Sequence, residues 1–215
     1  QKRPLEGPLR MGVIPTVAPF LLPRVLPRVR RRHPRLALRL HEAPTRALVA
    51  LLEAGELDVL LLALEAPLEG LATLALFEEP FVVALPAGHR LASRKHLGEA
   101  DLRGEPVLLL DDAHCLRAQA IAACRSAPAH EMGDFRATSL PTLVEMVAGG
   151  AGFTLLPESA ARVERRRSDL ALVPFSPPAP FRTIGFAWRP SSGRAAELEL
   201  LAASFGPPSS GAPGR

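Results

Sequence analysis

The sequence of 215 residues has no tyrosine, one tryptophan and two cysteines, and it lacks long apolar runs. The longest interior run without a charged residue is the 13 residues from Met11 to Pro23, which is too short to cross a bilayer. Few aromatic residues and a net charge of only +4 argue against a nucleic-acid-binding surface within this segment. With 47% hydrophobic and 22% charged residues, the composition is that of a folded globular chain.

Neither end of the chain has the pattern of a folded element. The chain begins Gln1-Lys2-Arg3-Pro4, without an initiator methionine or the apolar stretch of a signal peptide, and it ends in a segment rich in Pro, Gly and Ser. We therefore expect residues 1–7 to be the remnant of a linker and residues 207–215 to be a disordered tail.

Apolar segments alternate with amphipathic ones along the chain, which predicts an α/β fold. The predicted strands are residues 9–14, 37–41, 57–64, 81–85, 107–110, 135–137, 152–156, 170–175 and 182–188. Several of them are continuously apolar, as strands covered on both faces are.

Helix starts are predicted from capping residues. The positions are Thr16, Thr45, either Thr138 or Ser139, and a point near His114. Pro23 and Pro27 oppose a regular helix after Thr16, but apolar residues recur there at helical spacing, so we predict a helix that extends to His33.

The two cysteines, Cys115 and Cys124, are nine positions apart. This spacing lacks the close ligand pairs of a zinc site, so we expect no metal. Two buried, inert cysteines are one interpretation. Against it, Cys115 starts a predicted helix beside His114 and Arg117, and a helix N-terminus and cationic neighbours favour the reactive thiolate. We therefore predict that Arg117 stabilises a thiolate at Cys115.

The segment that carries the two cysteines is predicted to be helical, and this limits how they can pair. Nine residues of helix place the two sulfurs on opposite faces, about 13.5 Å apart along the axis. A disulfide requires Cα atoms about 4.4 to 6.8 Å apart. If Cys115 and Cys124 ever pair, the helix must unwind, and the bond would then act as a conformational switch.

Seven short motifs carry a family resemblance. They are Gly12-Val13-Ile14-Pro15-Thr16-Val17, Leu21-Leu22-Pro23, His41-Glu42-Ala43-Pro44-Thr45, His114-Cys115-Leu116-Arg117, Phe135-Arg136-Ala137-Thr138-Ser139-Leu140, Gly152-Phe153-Thr154-Leu155-Leu156-Pro157 and Arg182-Thr183-Ile184-Gly185. On these motifs, which cover about residues 8–190, the sequence resembles the regulatory domain of the peroxide-sensing LysR-type transcription regulators. The most specific is His-Cys-Leu-Arg with a second cysteine nine residues after the first.

The resemblance implies a periplasmic-binding-protein-like fold, in which two α/β subdomains are joined by two crossing strands with a cleft between them. Subdomain I would be residues 8–83 plus 184–206, and subdomain II, with the cysteines, residues 84–183. It also implies a cytoplasmic homodimer, tetrameric at full length, that binds DNA only through an N-terminal winged helix-turn-helix absent from this segment. The candidate apolar dimer contacts are Leu26, Leu40, Val144 and Val147.

The resemblance further assigns a peroxide site without a cofactor. Cys115 would be the peroxidatic cysteine and Cys124 the resolving one, the two forming an intramolecular disulfide, and an external thiol reductant would reset the protein. The residues that would bind hydrogen peroxide are Thr16, Thr45, His114 and Arg182. The protein would be a stoichiometric thiol-based sensor, and not an enzyme.

Two other functions stay open at this point. In the first, the chain is a LysR-type effector domain that binds a small organic co-inducer in the cleft, and its cysteines are inert. In the second, it is a thiol peroxidase. The His114-Cys115-Leu116-Arg117 motif with Cys124 argues against the first, and the split α/β pattern argues against a thioredoxin-like peroxidase.

Overall fold

The computed structural model describes residues 5–123 and 130–206. The chain divides into two compact units, which are Gln1–Glu78 with Thr183–Arg215 (unit 1) and Glu79–Arg182 (unit 2). The division falls after Glu78 and after Arg182, whereas the sequence prediction placed it after residues 83 and 183. Both units alternate strands and helices, which confirms the predicted α/β class.

In chain order the elements are β1 (Gly7–Val13), α1 (Ala18–Arg32), β2 (Leu36–Glu42), α2 (Thr45–Glu53), β3 (Val59–Ala63), β4 (Ala72–Pro86), β5 (Pro106–Leu110), α3 (Cys115–Ala123), β6 (His130–Ala137), α4 (Leu140–Ala148), β7 (Thr154–Pro157), α5 (Glu158–Glu164), β8 (Leu170–Pro174), β9 (Phe181–Trp188) and α6 (Ala195–Ala202). Short 3₁₀ turns lie at Glu99–Leu102 and Pro190–Ser192. The helices in the described part of the chain are all too short or too polar to form a membrane span.

Unit 1 begins with two β-α-β repeats. Its β1 pairs in parallel with both β2 and β3, and β9 pairs antiparallel with β3. Val13 at the end of β1 lies opposite Glu42 at the end of β2. Because the two strands are parallel and in register, the loops that follow them leave the same edge of the sheet. In open α/β sheets this carboxyl edge is where ligands bind.

The core of unit 1 depends on a close contact between α2 and β1. Gly12 lies on β1, and a Cβ atom built there would be 2.8 Å from a methyl group of Leu48 and 2.8 Å from one of Leu57. A side chain at this position would therefore have to displace the ends of these leucine side chains. All five residues of β3 are buried, which agrees with the continuous apolar run in the sequence.

Helix α1 forms although it contains Pro23 and Pro27. Both prolines are exposed, whereas Leu21, Val25 and Val29 on the opposite side are buried. Burial of this apolar stripe offsets the hydrogen bonds that the prolines remove. The predicted helix is thus confirmed.

Unit 2 contains two sets of paired strands. The part of β4 from Glu79 onward pairs antiparallel with β7 and with β8, and β5 pairs in parallel with β6. Helix α4 is capped by Ser139, whose hydroxyl oxygen accepts a hydrogen bond from the backbone N–H of Thr142 at 3.4 Å, one of the two caps predicted for this helix. The chain passes between the units twice, in β4 after Glu78 and in β9 after Arg182.

Glu164, the last residue of α5, is a buried carboxylate that opposes folding at neutral pH. It is 2% exposed, and its nearest described cation is Arg167, at 3.9 Å between Oε1 and Nη1. Burial raises the pKa of Glu164 above its ordinary value; Arg167 opposes this shift and Glu145 adds to it. Because the folded state binds the proton more tightly, the stability from this group is complete at low pH and is lost as pH rises through the folded-state pKa.

We expect Glu164→Gln to raise the free energy of unfolding at pH 7 by about 1 kcal/mol, or about 2–4 °C in Tm. The amide resembles the protonated acid that the fold prefers, so the gain should vanish near about pH 3, where the acid is protonated in both states. Thermal unfolding at the two pH values is the measurement. Glu158→Gln is the control; this residue is partly exposed on the same helix and pairs with Arg162, so its replacement should not raise stability at either pH. An equal gain from Glu164→Gln at both pH values would contradict the assignment.

Candidate functional site

Cys115 is the first residue of α3, and it is a half-buried free cysteine. The turn before it is built by Asp111, whose side chain accepts a hydrogen bond from the backbone N–H of Ala113 at 3.2 Å. The carbonyl oxygen of Asp111 accepts another from the N–H of His114, also at 3.2 Å. The backbone N–H groups of a first helical turn lack acceptors within the helix, so Cys115 lies where a negative sulfur is favoured.

The ring of His114 is held in one orientation. It is 9% exposed, and its Nε2 lies 3.1 Å from the carbonyl oxygen of Thr138 and 3.7 Å from Oδ1 of Asp111. A carbonyl oxygen can only accept, so Nε2 donates and carries a proton. In the neutral ring Nδ1 is then the acceptor. His114 can therefore hold a proton-donating ligand at Nδ1.

Arg117 makes an ion pair with Asp112, with 2.8 Å between Nε and Oδ1. Arg136 binds the other oxygen of the same carboxylate at 2.8 Å, and Nη1 of Arg117 reaches the carbonyl oxygen of Leu110 at 3.5 Å. The negative charge of Asp112 therefore offsets part of the positive charge of Arg117 that was predicted to stabilise a thiolate at Cys115. The stabilisation of a thiolate by Arg117 stays a prediction.

Arg182 is fully buried in unit 2 and forms an ion pair with Glu79, which is 4% exposed. Nε and Nη2 of Arg182 both donate to Oε2 of Glu79, at 2.9 and 2.8 Å. The other oxygen, Oε1, accepts from the backbone N–H of Ser159 in α5 at 3.0 Å. The position predicted to bind peroxide is thus part of a buried polar network.

Thr16 and Thr45 lie in unit 1, after the carboxyl ends of β1 and β2, so this sheet edge brings them to the same side. Neither is a helix cap, which corrects the sequence analysis: the N-cap of α1 is Val17 and that of α2 is Pro44. Thr16 is 2% exposed and Thr45 8% exposed. The Oγ1 atom of Thr45 is buried and has no hydrogen-bond partner among the described residues.

A buried hydroxyl without a partner costs stability. The sequence nevertheless has threonine at position 45, where valine would have the same shape without that cost. This is the expected pattern for a hydroxyl that serves a bound ligand, since such a group is satisfied only when the ligand is present.

Four residues were predicted as dimer contacts, and the structure separates them into two kinds. Leu40 on β2 is 42% exposed, and Leu26 on α1 is half-buried. Val144 and Val147 are both 0% exposed within their own unit, because the apolar face of α4 packs against the strands of unit 2. As they stand they cannot touch a second subunit; on α4 the exposed residues include Pro141, Thr142 and Glu145.

Sequence reasoning did not find Glu79 or the carbonyl oxygen of Thr138. Neither belongs to a recognisable spacing, since their roles arise only when distant segments meet. One signal was available for Glu79, because an arginine at a buried strand position requires a nearby carboxylate.

Cys124 lies outside the described residues. In the described part of the chain, no three side chains of His, Cys, Asp or Glu are arranged to hold a metal ion.

Two α/β units connected by two strands, with polar side chains at the starts of helices, define a periplasmic-binding-protein-like domain. The chain belongs to the LysR substrate-binding domain family, whose model matches residues 2–206. This confirms the fold predicted from the sequence.

The chain is similar to OxyR proteins. It is 45% identical to the DNA-binding transcriptional dual regulator OxyR of Escherichia coli strain K12 over 202 residues, which are 94% of this chain and 66% of that protein. A crystal structure of the oxidized form of OxyR matches with a TM-score of 0.84 and 45% identity, covering 94% of this chain and 95% of the other. A Corynebacterium glutamicum OxyR cysteine mutant with bound H2O2 matches with a TM-score of 0.88 and 37% identity, over 94% and 65%. The chain thus spans slightly less than two thirds of the E. coli regulator.

Proposed function

We propose that this chain is the hydrogen-peroxide-sensing regulatory domain of a LysR-type DNA-binding transcription regulator. The observation that carries the proposal is the position of Cys115, a free, half-buried cysteine at the first residue of α3, next to His114, whose ring is hydrogen-bonded to the carbonyl oxygen of Thr138. The similarity to OxyR supports it, and so does the unpartnered hydroxyl of Thr45.

In the proposed reaction, the thiolate of Cys115 attacks one oxygen of H2O2. A sulfur–oxygen bond forms, the oxygen–oxygen bond breaks, and hydroxide leaves with the electron pair of that bond; one proton converts it to water. Sulfur is oxidised to a sulfenic acid and peroxide is reduced. The groups proposed to hold peroxide and to stabilise the departing hydroxide are Thr16, Thr45, His114 and Arg182.

We propose that the sulfenic acid at Cys115 then condenses with the thiol of Cys124. The sulfur–sulfur bond forms and water leaves, so each switching event consumes one peroxide molecule. Two equivalents of an external thiol regenerate both cysteines, leaving the reductant as its own disulfide. This stoichiometry distinguishes a sensor from a peroxidase that turns over.

The partners we propose are a second copy of the chain and DNA. The homodimer would use Leu26 and Leu40, together with exposed residues of α4 in place of Val144 and Val147. DNA would be contacted only by a winged helix-turn-helix that is not in this segment, in a cytoplasmic protein that is tetrameric at full length.

Thiol trapping before and after a pulse of one equivalent of peroxide tests the proposed function. We expect both cysteines to be alkylated before the pulse and neither after it, and a thiol reductant should restore both. Persistence of both thiols, with a metabolite retained in native mass spectrometry, would replace the proposal with a co-inducer domain. Continuous peroxide consumption in excess reductant would replace it with a peroxidase.

We expect Thr45→Val to slow the reaction of Cys115 with peroxide by about 10-fold while leaving the fold intact or stabilised by about 1 kcal/mol. Valine keeps the shape and removes a hydroxyl that bonds to nothing described. Stopped-flow kinetics and thermal unfolding are the measurements. Thr142→Val, at an exposed first-turn position of α4, is the control. Unchanged peroxide kinetics would remove Thr45 from the site.

A further inference from the structure

Glu79 has no part in the reaction as described, yet it is buried and both of its carboxylate oxygens are hydrogen-bonded. Its oxygens accept three N–H groups, two from Arg182 and one from the backbone of Ser159. The three donor–acceptor distances lie between 2.8 and 3.0 Å, and both side chains of the ion pair are buried. A buried pair of this kind is stable only when its hydrogen bonds are complete.

The contacts fix the direction of the guanidinium. Two donors on one edge of the plane, Nε and Nη2, converge on a single oxygen of Glu79, which sets the rotation of the plane about the side-chain axis. The carboxylate cannot follow a rotating arginine, because the N–H of Ser159 holds its other oxygen. Glu79 therefore ties the orientation of Arg182 to the backbone of α5.

We propose that Glu79 is a positioning residue that aims Arg182 in the reaction of Cys115 with peroxide. This inference rests on the proposed function, because it takes Arg182 as a peroxide-binding group. Glu79 also neutralises most of the charge of Arg182, so that the pair contributes directed N–H groups in place of a net positive charge. The contribution of Arg182 then depends on where its N–H groups lie, and small displacements of a reacting group lower the reaction rate steeply.

The chemistry of the three donors distinguishes the substitutions at position 79. Glu79→Gln offers one oxygen and one NH2 group, so it cannot accept from both Arg182 and Ser159 in the present arrangement. Glu79→Asp keeps the charge and both acceptors, but its carboxylate is withdrawn by one carbon–carbon bond, about 1.5 Å. Glu79→Gln therefore breaks at least one of the hydrogen bonds to Arg182 or Ser159, whereas Glu79→Asp keeps the acceptors but shifts their position.

The test compares two reactions of the same sulfur. We expect Glu79→Gln to lower the second-order rate constant of Cys115 with H2O2 by about 10- to 100-fold, and Glu79→Asp to lower it by a smaller factor. Alkylation of Cys115 by iodoacetamide, which does not need Arg182, should stay within about twofold of wild type. A residue with a merely structural role would change both rates together. Glu105→Gln is the matched control, since Glu105 also pairs with an arginine, Arg90, in unit 2, and both rates should be unchanged.

Two further variants complete the test. Arg182→Ala should slow the peroxide reaction by itself, and adding Glu79→Gln to it should slow the reaction no further, because Glu79 acts through Arg182. Wild-type peroxide rates in folded Glu79→Gln would overturn the positioning role, and if that variant does not fold, the same result in Glu79→Asp would do so. By contrast, a wild-type Cys115 that reacts with peroxide no faster than free cysteine would overturn the proposed function itself.

Discussion

Cys115→Ser is expected to abolish the response to peroxide, leaving the remaining thiol untouched by a stoichiometric pulse. Only Cys115 stands at the start of α3, with His114 fixed next to it by the carbonyl oxygen of Thr138. A serine hydroxyl has nearly the same shape but is not ionised at neutral pH, so it cannot attack peroxide. Thiol trapping and intact mass after the pulse are the measurements.

The matched variant for this test is Cys124→Ser. It should still react at Cys115, because the peroxidatic setting is intact, but the sulfenic acid has no partner thiol and should be oxidised further to sulfinic acid. The two serine variants therefore differ in the mass that peroxide adds, although each removes one sulfur. If oxygen were added mainly to Cys124 in the wild-type protein, the two roles would be reversed.

The α/β fold was predictable from the sequence where burial imposes a simple pattern. All five residues of β3 are buried, and the apolar run marked the strand to within two residues at its start. β4 shows the opposite case, because it begins at Ala72, nine residues before the predicted strand at Phe81. Its early part is mostly apolar in sequence, but half-buried and exposed side chains alternate there, and Glu78 and Glu79 separate it from the apolar run that begins at Phe81.

The sequence predicted which residues belong to the candidate site better than it predicted what their side chains do. Thr45 was predicted as a cap, but the N-cap of α2 is Pro44 and the hydroxyl of Thr45 is buried without a described partner. Val144 and Val147 read as an apolar contact face, yet strands of their own unit cover them. In both cases the sequence shows that a group is polar or apolar, and only the tertiary structure shows what covers it.

Helix α3 buries few apolar side chains. It has nine residues, and those that it buries are Leu116, Ala120 and Ala123. Two of the three are alanines, so the apolar area lost on unwinding comes mainly from Leu116, whose burial contributes about 1.5–3 kcal/mol. Isolated helices of this length are marginal in water. The segment between the two cysteines is thus a helix of low local stability.

Formation of a disulfide between Cys115 and Cys124 is expected to remove the amide-exchange protection of α3. In the helix, the Cα atoms of Cys115 and Ala123 are about 12 Å apart along the axis, and Cys124 is the next residue, so no rotamer brings the sulfurs together. The bond requires Cα atoms about 4.4 to 6.8 Å apart. Most of the hydrogen bonds of α3 must therefore break, and Leu116 must find a new environment.

Hydrogen exchange on the reduced and the peroxide-oxidised protein measures this loss. Amides of α3 should exchange faster by a factor of about 100 or more, as a loss of roughly 3 kcal/mol of local protection predicts, while those of α2 in unit 1 should not change. Cys124→Ser treated with peroxide is the control, because it oxidises Cys115 without forming the bond and should keep α3 protected. Equal protection of α3 in both states of the wild-type protein would mean that no such disulfide forms, since a helix of this length cannot persist while its ends are joined.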